Sequence, residues 1–337
     1  MSQEFNVAVF GATGAVGETI VEVLQERKFP VGNIYLLASE RSEGKTYRFN
    51  GKTVKVENVE NFDWSQVHIA LFSAGAALSE KWAPVAADEG VVVIDNTSQF
   101  RYDYDIPLVV PEVNPEAVAE FRNRNIIANP NCSTIQMLVA LKPIHDEAGI
   151  ERINVSTYQS VSGAGKTGID ELAGQTAKLL NGLPAEPDAF SQQIAFNCIP
   201  QIDKFMENGY TKEEMKMVWE TQKIFNDPSI MVNPTCVRVP VFYGHAEAVH
   251  VETRTPIDAS QVCQLLEQTE GVEVFYGEEC PTQVRDAGGK DHVMVGRIRN
   301  DISHHSGVNL WVVADNVRKG AATNAVQIAE VLIRDYF

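Results

Sequence analysis

Cys132 stands in the run Asn129, Pro130, Asn131, Cys132, Ser133. The proline bounds a turn, and the apolar stretch 133–141 reads as a helix, so the thiol sits at a helix start. The free N–H groups and dipole of a helix N-terminus lower a thiol pKa and stabilise the thiolate. The same N–H groups can hold an oxyanion once sulfur has attacked a carbonyl. An arbitrary cysteine is a small buried hydrophobe, and Cys198, Cys236, Cys263 and Cys280, in ordinary strand or helix contexts, keep that reading. A thiol nucleophile needs a proton partner. His245 follows the Tyr243–Gly244 turn, where a side chain can project into a cleft, and imidazole changes charge near neutral pH. Arg238 lies earlier in the same strand-and-turn segment, and its planar permanent charge suits a carboxylate. The pair His304 and His305 is an alternative acid/base set, in what reads as a polar loop.

A second constellation is Gly11, Gly14 and Gly17, spaced G-x-x-G-x-x-G between an apolar run and a helical pattern. Glycine permits the tight turn and close backbone approach, and the helix start offers N–H groups to a pyrophosphate. The more usual spacing is G-x-G-x-x-G, so a ligand-free glycine turn is the competing reading. After the second strand come Ser39, Glu40, Arg41 and Ser42. An acid there accepts the ribose hydroxyls of NAD, whereas Arg41 between two serines makes a nest for a 2′-phosphate. NADP is the expected cofactor, with Glu40 turned away. The run 163–168 (GAGKTG) imitates a P-loop, but Ser160 occupies the position of its first glycine, so no nucleoside triphosphate site is read there.

The elements that must position these groups alternate in the N-terminal half. Strands are read at 6–10, 34–37, 68–72 and 91–94, with helices at 18–26 and 79–89, a doubly wound parallel sheet. From about residue 126 the texture changes to longer strand-like runs at 153–160, 235–242, 248–253 and 308–314, a mostly antiparallel sheet with helices. The amphipathic stretch 321–336 is a helix expected to return to the first domain, and 184–188 reads as a loop. The expected fold is therefore α/β: a dinucleotide-binding domain, 1–127 with 317–337, and an α+β catalytic and dimerisation domain, 128–316.

The chain has 337 residues, 44% of them hydrophobic, enough for two cores. A net charge of −17 argues against a nucleic-acid partner, which needs clustered Lys and Arg, but leaves room for a small anion held by placed cations. No apolar run is long enough to span a bilayer. The first residues lack a signal-peptide pattern, and five cysteines without CxxC or Cys/His spacing imply neither disulfides nor a metal. A cytoplasmic protein is expected.

Seven ordered motifs carry a family resemblance: GATGAVGE at 11–18, DNTSQFR at 95–101, NPNCSTIQ at 129–136, QSVSGAG at 159–165, EEMK at 213–216, CVRVPVFYGHAE at 236–247 and DNVRKGAATNAVQIAE at 315–330. Together they resemble aspartate-semialdehyde dehydrogenase over essentially the whole chain, in its shorter length class. The resemblance implies NADP-dependent, reversible conversion of L-aspartyl 4-phosphate to L-aspartate 4-semialdehyde through a cysteine thioester, in the biosynthesis of lysine, diaminopimelate, threonine and methionine. It implies Cys132 as nucleophile, His245 as acid/base and Gln159 orienting the acyl group. Arg238 would pair with the substrate carboxylate, Glu213 with its ammonium, and Arg101 and Lys216 with phosphate. Thr13, Gly14, Ala15, Val16, Arg41, Ser42, Ser162, Gly163 and Asn316 would contact the cofactor, and the enzyme would be a homodimer. An N-acetyl-glutamyl-phosphate reductase uses the same chemistry on an acylated amine; the acidic EEMK segment favours a free ammonium. A non-catalytic dinucleotide-binding regulator is a third reading, which the presence of both Cys132 and His245 disfavours.

Overall fold

The computed structural model describes residues 3–337. They fall into two compact units, Met1–Pro130 with Ala321–Phe337, and Asn131–Gly320.

In the first unit β1 (Phe5–Phe10) runs through the glycine turn into α1 (Ala15–Glu26) and β2 (Val31–Ala38). Then come β3 (Thr46–Phe49), β4 (Lys52–Asn58), β5 (Ile69–Phe72), α2 (Ala76–Asp88), β6 (Val92–Asp95) and β7 (Ile126–Ala128). The sheet order is β3-β4-β2-β1-β5-β6-β7. Every pairing is parallel except the β3–β4 hairpin. The strands are covered on both faces, which is why β1 reads as an unbroken apolar run: Val7, Ala8 and Val9 are fully buried. The chain leaves β1 towards β2 on one side and later reaches β5 on the other. The loop after β1 therefore opens at the point where strand order reverses, the usual ligand crevice of such sheets. The final helix, Thr323–Asp335, packs against α1 and buries Ala325, Val326, Ile328 and Leu332 in the same core.

The second unit begins with α3 (Cys132–Ala148) and β8 (Ile150–Gln159), followed by α4 (Gly165–Leu180) and α5 (Lys212–Ile224). Next are β9 (Met231–Arg238), β10 (His245–Thr253), α6 (Ala259–Glu267), β11 (Val272–Val274), β12 (Val293–Asn300) and β13 (Gly307–Ala314). The sheet order is β11-β12-β13-β10-β8-β9. Its three central pairings are antiparallel, and the two outer ones, β8–β9 and β11–β12, are parallel. α3 packs on one face across β8, β10, β12 and β13. Strand alternation then turns Val155, Thr157 and Gln159 of β8 and His245, Glu247 and Val249 of β10 inward, all buried. The opposite face leaves Tyr158 and Met231 exposed.

One sequence expectation is corrected here. Residues 235–242 are not one strand, and Arg238 and His245 do not share a segment: β9 ends at Arg238 and β10 begins at His245. Pro240 cannot donate to a ladder, and Gly244 turns the chain at φ +85°. The crossing sets the two residues on opposite sides of β8, where Gln159 is in register with both.

Candidate active site

Cys132 is the first residue of α3, a half-buried thiol outside any disulfide. Asn131 caps the helix, its Oδ1 accepting the Ser133 N–H at 3.0 Å. Two acids of α5 hold the cap in turn. Glu220 accepts the Asn131 backbone N–H at 2.6 Å, and Glu213 accepts from its Nδ2 at 3.0 Å. The thiol is thus fixed at the positive end of a helix dipole, a setting that stabilises a thiolate. On its other side passes Gly320, where an added Cβ would lie 2.7 Å from the Cys132 Cβ.

Arg238, Gln159 and His245 form a row across β9, β8 and β10. The Arg238 guanidinium donates to the Ser160 carbonyl at 2.7 Å and lies over the Phe190 ring. Burial lowers its pKa, while the charges of Glu213 and Cys132 work the other way. Gln159 Nε2 donates to Ser133 Oγ and, at 3.2 Å, to Glu213. His245 is fully buried. Its Nδ1 accepts the Ser160 N–H at 3.1 Å, which assigns the proton of the neutral ring to Nε2. Nε2 has no protein partner among the described residues. Burial, reinforced by Arg238, pulls the His245 pKa down to about 3. The expectation of a histidine that titrates near neutrality is thereby corrected: the ring is a neutral donor with an open N–H. Gly163 lies against both side chains; a Cβ there would stand 2.9 Å from Arg238 Nη1 and 3.6 Å from His245 Nε2.

Glu213 and Lys216 are already paired, at 2.8 Å, with Asp203 on the other side of the lysine at 3.1 Å. Burial opposes the Glu213 charge, but Lys216 and the hydrogen bonds overcome it and hold the carboxyl at about 2. Burial likewise opposes the lysine charge, and Glu213 and Asp203 raise its pKa in spite of it. Asn316, expected at the cofactor, accepts the Gly244 N–H at 2.9 Å and bonds Ser162. Ser160 donates to the same amide oxygen at 3.1 Å. Within this unit Asn316 and Ser162 therefore brace the turn that delivers His245.

In the first unit Gly11 adopts φ +89°, and a Cβ on it would approach the Ala74 nitrogen to 2.8 Å. A Cβ on Gly17 would stand 2.1 Å from the Gly11 carbonyl, so the turn and helix close only on glycine. Gly14 is the N-cap of α1 and brings no side chain to the cap. The first-turn N–H groups of Ala15, Val16 and Gly17 remain for a ligand, and this cradle fits a pyrophosphate. Thr13 bonds Ser42 at 3.4 Å, tying the glycine turn to the short helical turn Glu40–Ser42. Arg41 is exposed on that turn. Arg101 is buried beyond β6, donating to the Asn96 carbonyl at 3.0 Å, with Asp95 as electrostatic partner.

Four supporting residues, Asn131, Ser133, Ser160 and Glu220, escaped the sequence reading. The first two flank Cys132 and were visible as an Asn cap. Nothing in the sequence distinguishes Glu220 from other helical acids. Among the described residues no helix is long and apolar enough to cross a membrane, and no group of three or more His, Cys, Asp or Glu could hold a metal.

A dinucleotide-binding unit and a unit bearing both a helix-start thiol and a buried imidazole define the class of cysteine-dependent nicotinamide dehydrogenases. Residues 6–121 match the family model "Semialdehyde dehydrogenase, NAD binding domain", and residues 141–319 match "Semialdehyde dehydrogenase, dimerisation domain". Aspartate-semialdehyde dehydrogenase 2 of Vibrio cholerae is 86% identical over 337 residues, 100% of both chains. Aspartate-semialdehyde dehydrogenase of Bacillus subtilis is 47% identical, covering 98% of each chain. A crystal structure of Vibrio cholerae aspartate semialdehyde dehydrogenase II complexed with ASA superposes with a TM-score of 0.99 at 85% identity over 100% of both chains. The chain belongs to the aspartate-semialdehyde dehydrogenase family and uses a nicotinamide dinucleotide.

Proposed function

We propose that the chain catalyses the reversible, NADP-dependent reductive dephosphorylation of L-aspartyl 4-phosphate to L-aspartate 4-semialdehyde, in the cytoplasm, as a homodimer. The carrying observation is the row Arg238, Gln159, His245 in the unit whose first helix begins with Cys132. The Cys132 thiolate attacks the acyl carbon; the C–O bond to phosphate breaks, phosphate leaves with the electron pair, and a thioester remains. A bound nicotinamide dinucleotide supplies the hydride that converts thioester to thiohemiacetal. Gln159 orients the carbonyl. The His245 Nε2–H donates to the oxygen as charge builds there and recovers the proton as the C–S bond breaks. Arg238 takes the substrate carboxylate as a fork. Glu213 draws the ammonium, Arg101 and Lys216 draw phosphate, and Arg41 with Ser42 selects the 2′-phosphate of NADP. The ionised Glu213 favours a free ammonium over the acylated amine of the N-acetyl-glutamyl analogue.

The test is a coupled assay of aspartate semialdehyde, phosphate and each cofactor. Reduction of NADP in preference to NAD is expected. Faster turnover of N-acetylglutamate semialdehyde would overturn the substrate assignment. Sedimentation velocity should give a dimer; a monomer at assay concentration would refute that part.

A further inference from the structure

Two residues beyond His245, on the same inward face of β10, Glu247 is fully buried. Gln136 of α3 lies against it and by itself favours the charged carboxylate, an effect smaller than that of burial, yet among the described residues neither Glu247 oxygen finds a hydrogen-bond partner of good geometry. The Gln136 Oε1 is in the same condition, while its Nε2 donates to the His245 backbone carbonyl at 3.4 Å. Register places Thr157 of β8 beside Glu247, and Cys236 of β9 beside Thr157. Burial pushes the Cys236 thiol up, and the charged groups acting on it, Glu213, Glu214 and Glu247, are all acidic. Among the described residues, three buried acceptor oxygens under β10, on Gln136 and Glu247, therefore lack a hydrogen-bond donor. A buried unpaired ion is strongly destabilising, and each unmade hydrogen bond adds to the cost. One proton on Glu247 removes the charge and supplies the missing donor to Gln136 Oε1. Burial acts in that direction, holding the Glu247 carboxyl well above the usual carboxylate range.

We propose that Glu247 is a positioning residue: its carboxylic acid and the Gln136 carboxamide form a hydrogen-bonded pair that anchors the start of β10 and so aims the His245 ring. The inference rests on the acid/base role proposed for His245. A neutral pair also keeps a negative charge away from the imidazole, whose other charged neighbours are Arg238 and Glu213.

Three measurements test it. Infrared difference spectra at neutral pH, wild type minus Glu247→Gln, should show the carbonyl band of a protonated carboxyl. Glu247→Gln should melt higher than wild type by a margin that grows as pH rises above 4.5, the ordinary glutamate value, and closes in acid. The sign follows because a raised folded pKa gives stability that is lost as pH rises. Glu247→Gln should keep kcat within about twofold, since it retains shape and polarity. Glu247→Leu, and Gln136→Met from the helix side, should lower kcat by about tenfold or more with both KM values unchanged, because the ring is mis-aimed and the binding groups are intact. No carboxyl band, or a pH-independent melting difference, means an ionised Glu247 and overturns the pair. Wild-type kcat in a folded Glu247→Leu or Gln136→Met overturns the positioning role. An inactive wild type would defeat the proposed reaction instead, leaving the spectra and melting to judge the pair.

Discussion

His245 is buried where an imidazolium loses its water and faces Arg238, and both effects favour the neutral ring. Proton transfer at this site therefore starts from Nε2–H and not from a charged histidine. With a pKa of about 3, the histidine contributes no limb near neutrality to the pH profile of kcat/KM, which reports the free enzyme. His245→Gln keeps a polar group of similar reach but cannot shuttle the proton. It should lower kcat by about 10²–10⁴-fold, with little change in KM and no loss of a limb near neutral pH. A variant that raised KM while sparing kcat would make the histidine a binding residue. Cys132→Ala removes the atom that carries the acyl group and leaves the glycine turn of the other unit untouched. Turnover should vanish while cofactor affinity, measured by fluorescence titration, stays within a few-fold. Substantial residual turnover would sink the thioester mechanism.

Elements decide which residues meet, and the sequence exposed them unevenly. The glycine turn was legible because its chemistry is local: strand, three glycines and helix lie within one short run. The hairpin of β3 and β4 was missed although Asn50 and Gly51, both at positive φ, form the commonest two-residue hairpin signal. α5 was missed too, despite the Thr211/Glu214 capping box that starts it. The row of Arg238, Gln159 and His245 could not be read at all. It depends on β9 and β10 flanking β8, a long-range pairing that residue spacing does not encode. Arg41 belongs to this scale, because the bond between Thr13 and Ser42 ties its turn to the glycine loop. Arg41→Ala should raise the KM for NADP far more than that for NAD. Equal effects on both would reduce Arg41 to a turn residue.

For the molecule as a whole, the buried site is a liability in acid. Glu213 is held at about 2, below its ordinary 4.5, and His245 at about 3, below 6.5. In both cases the unfolded chain binds the proton more readily than the folded one. The stability these groups confer is thus complete above the unfolded value and lost as pH falls through the folded one. The histidine acts first, from 6.5 downwards, and Glu213 joins only below 4.5. Glu247 and Asp95, whose carboxyls burial raises, have the opposite slope, so the wild-type curve alone conceals the histidine. His245→Gln isolates it, because glutamine has no proton to gain. Melting temperatures of the two proteins, measured between neutral pH and pH 4, should differ by an amount that shifts steadily in favour of the variant as pH falls. A difference independent of pH over that window would mean that His245 titrates in the folded enzyme as it does in the unfolded chain, and one that shifted in favour of wild type as pH falls would mean a charged ring; either result would overturn the neutral-donor role.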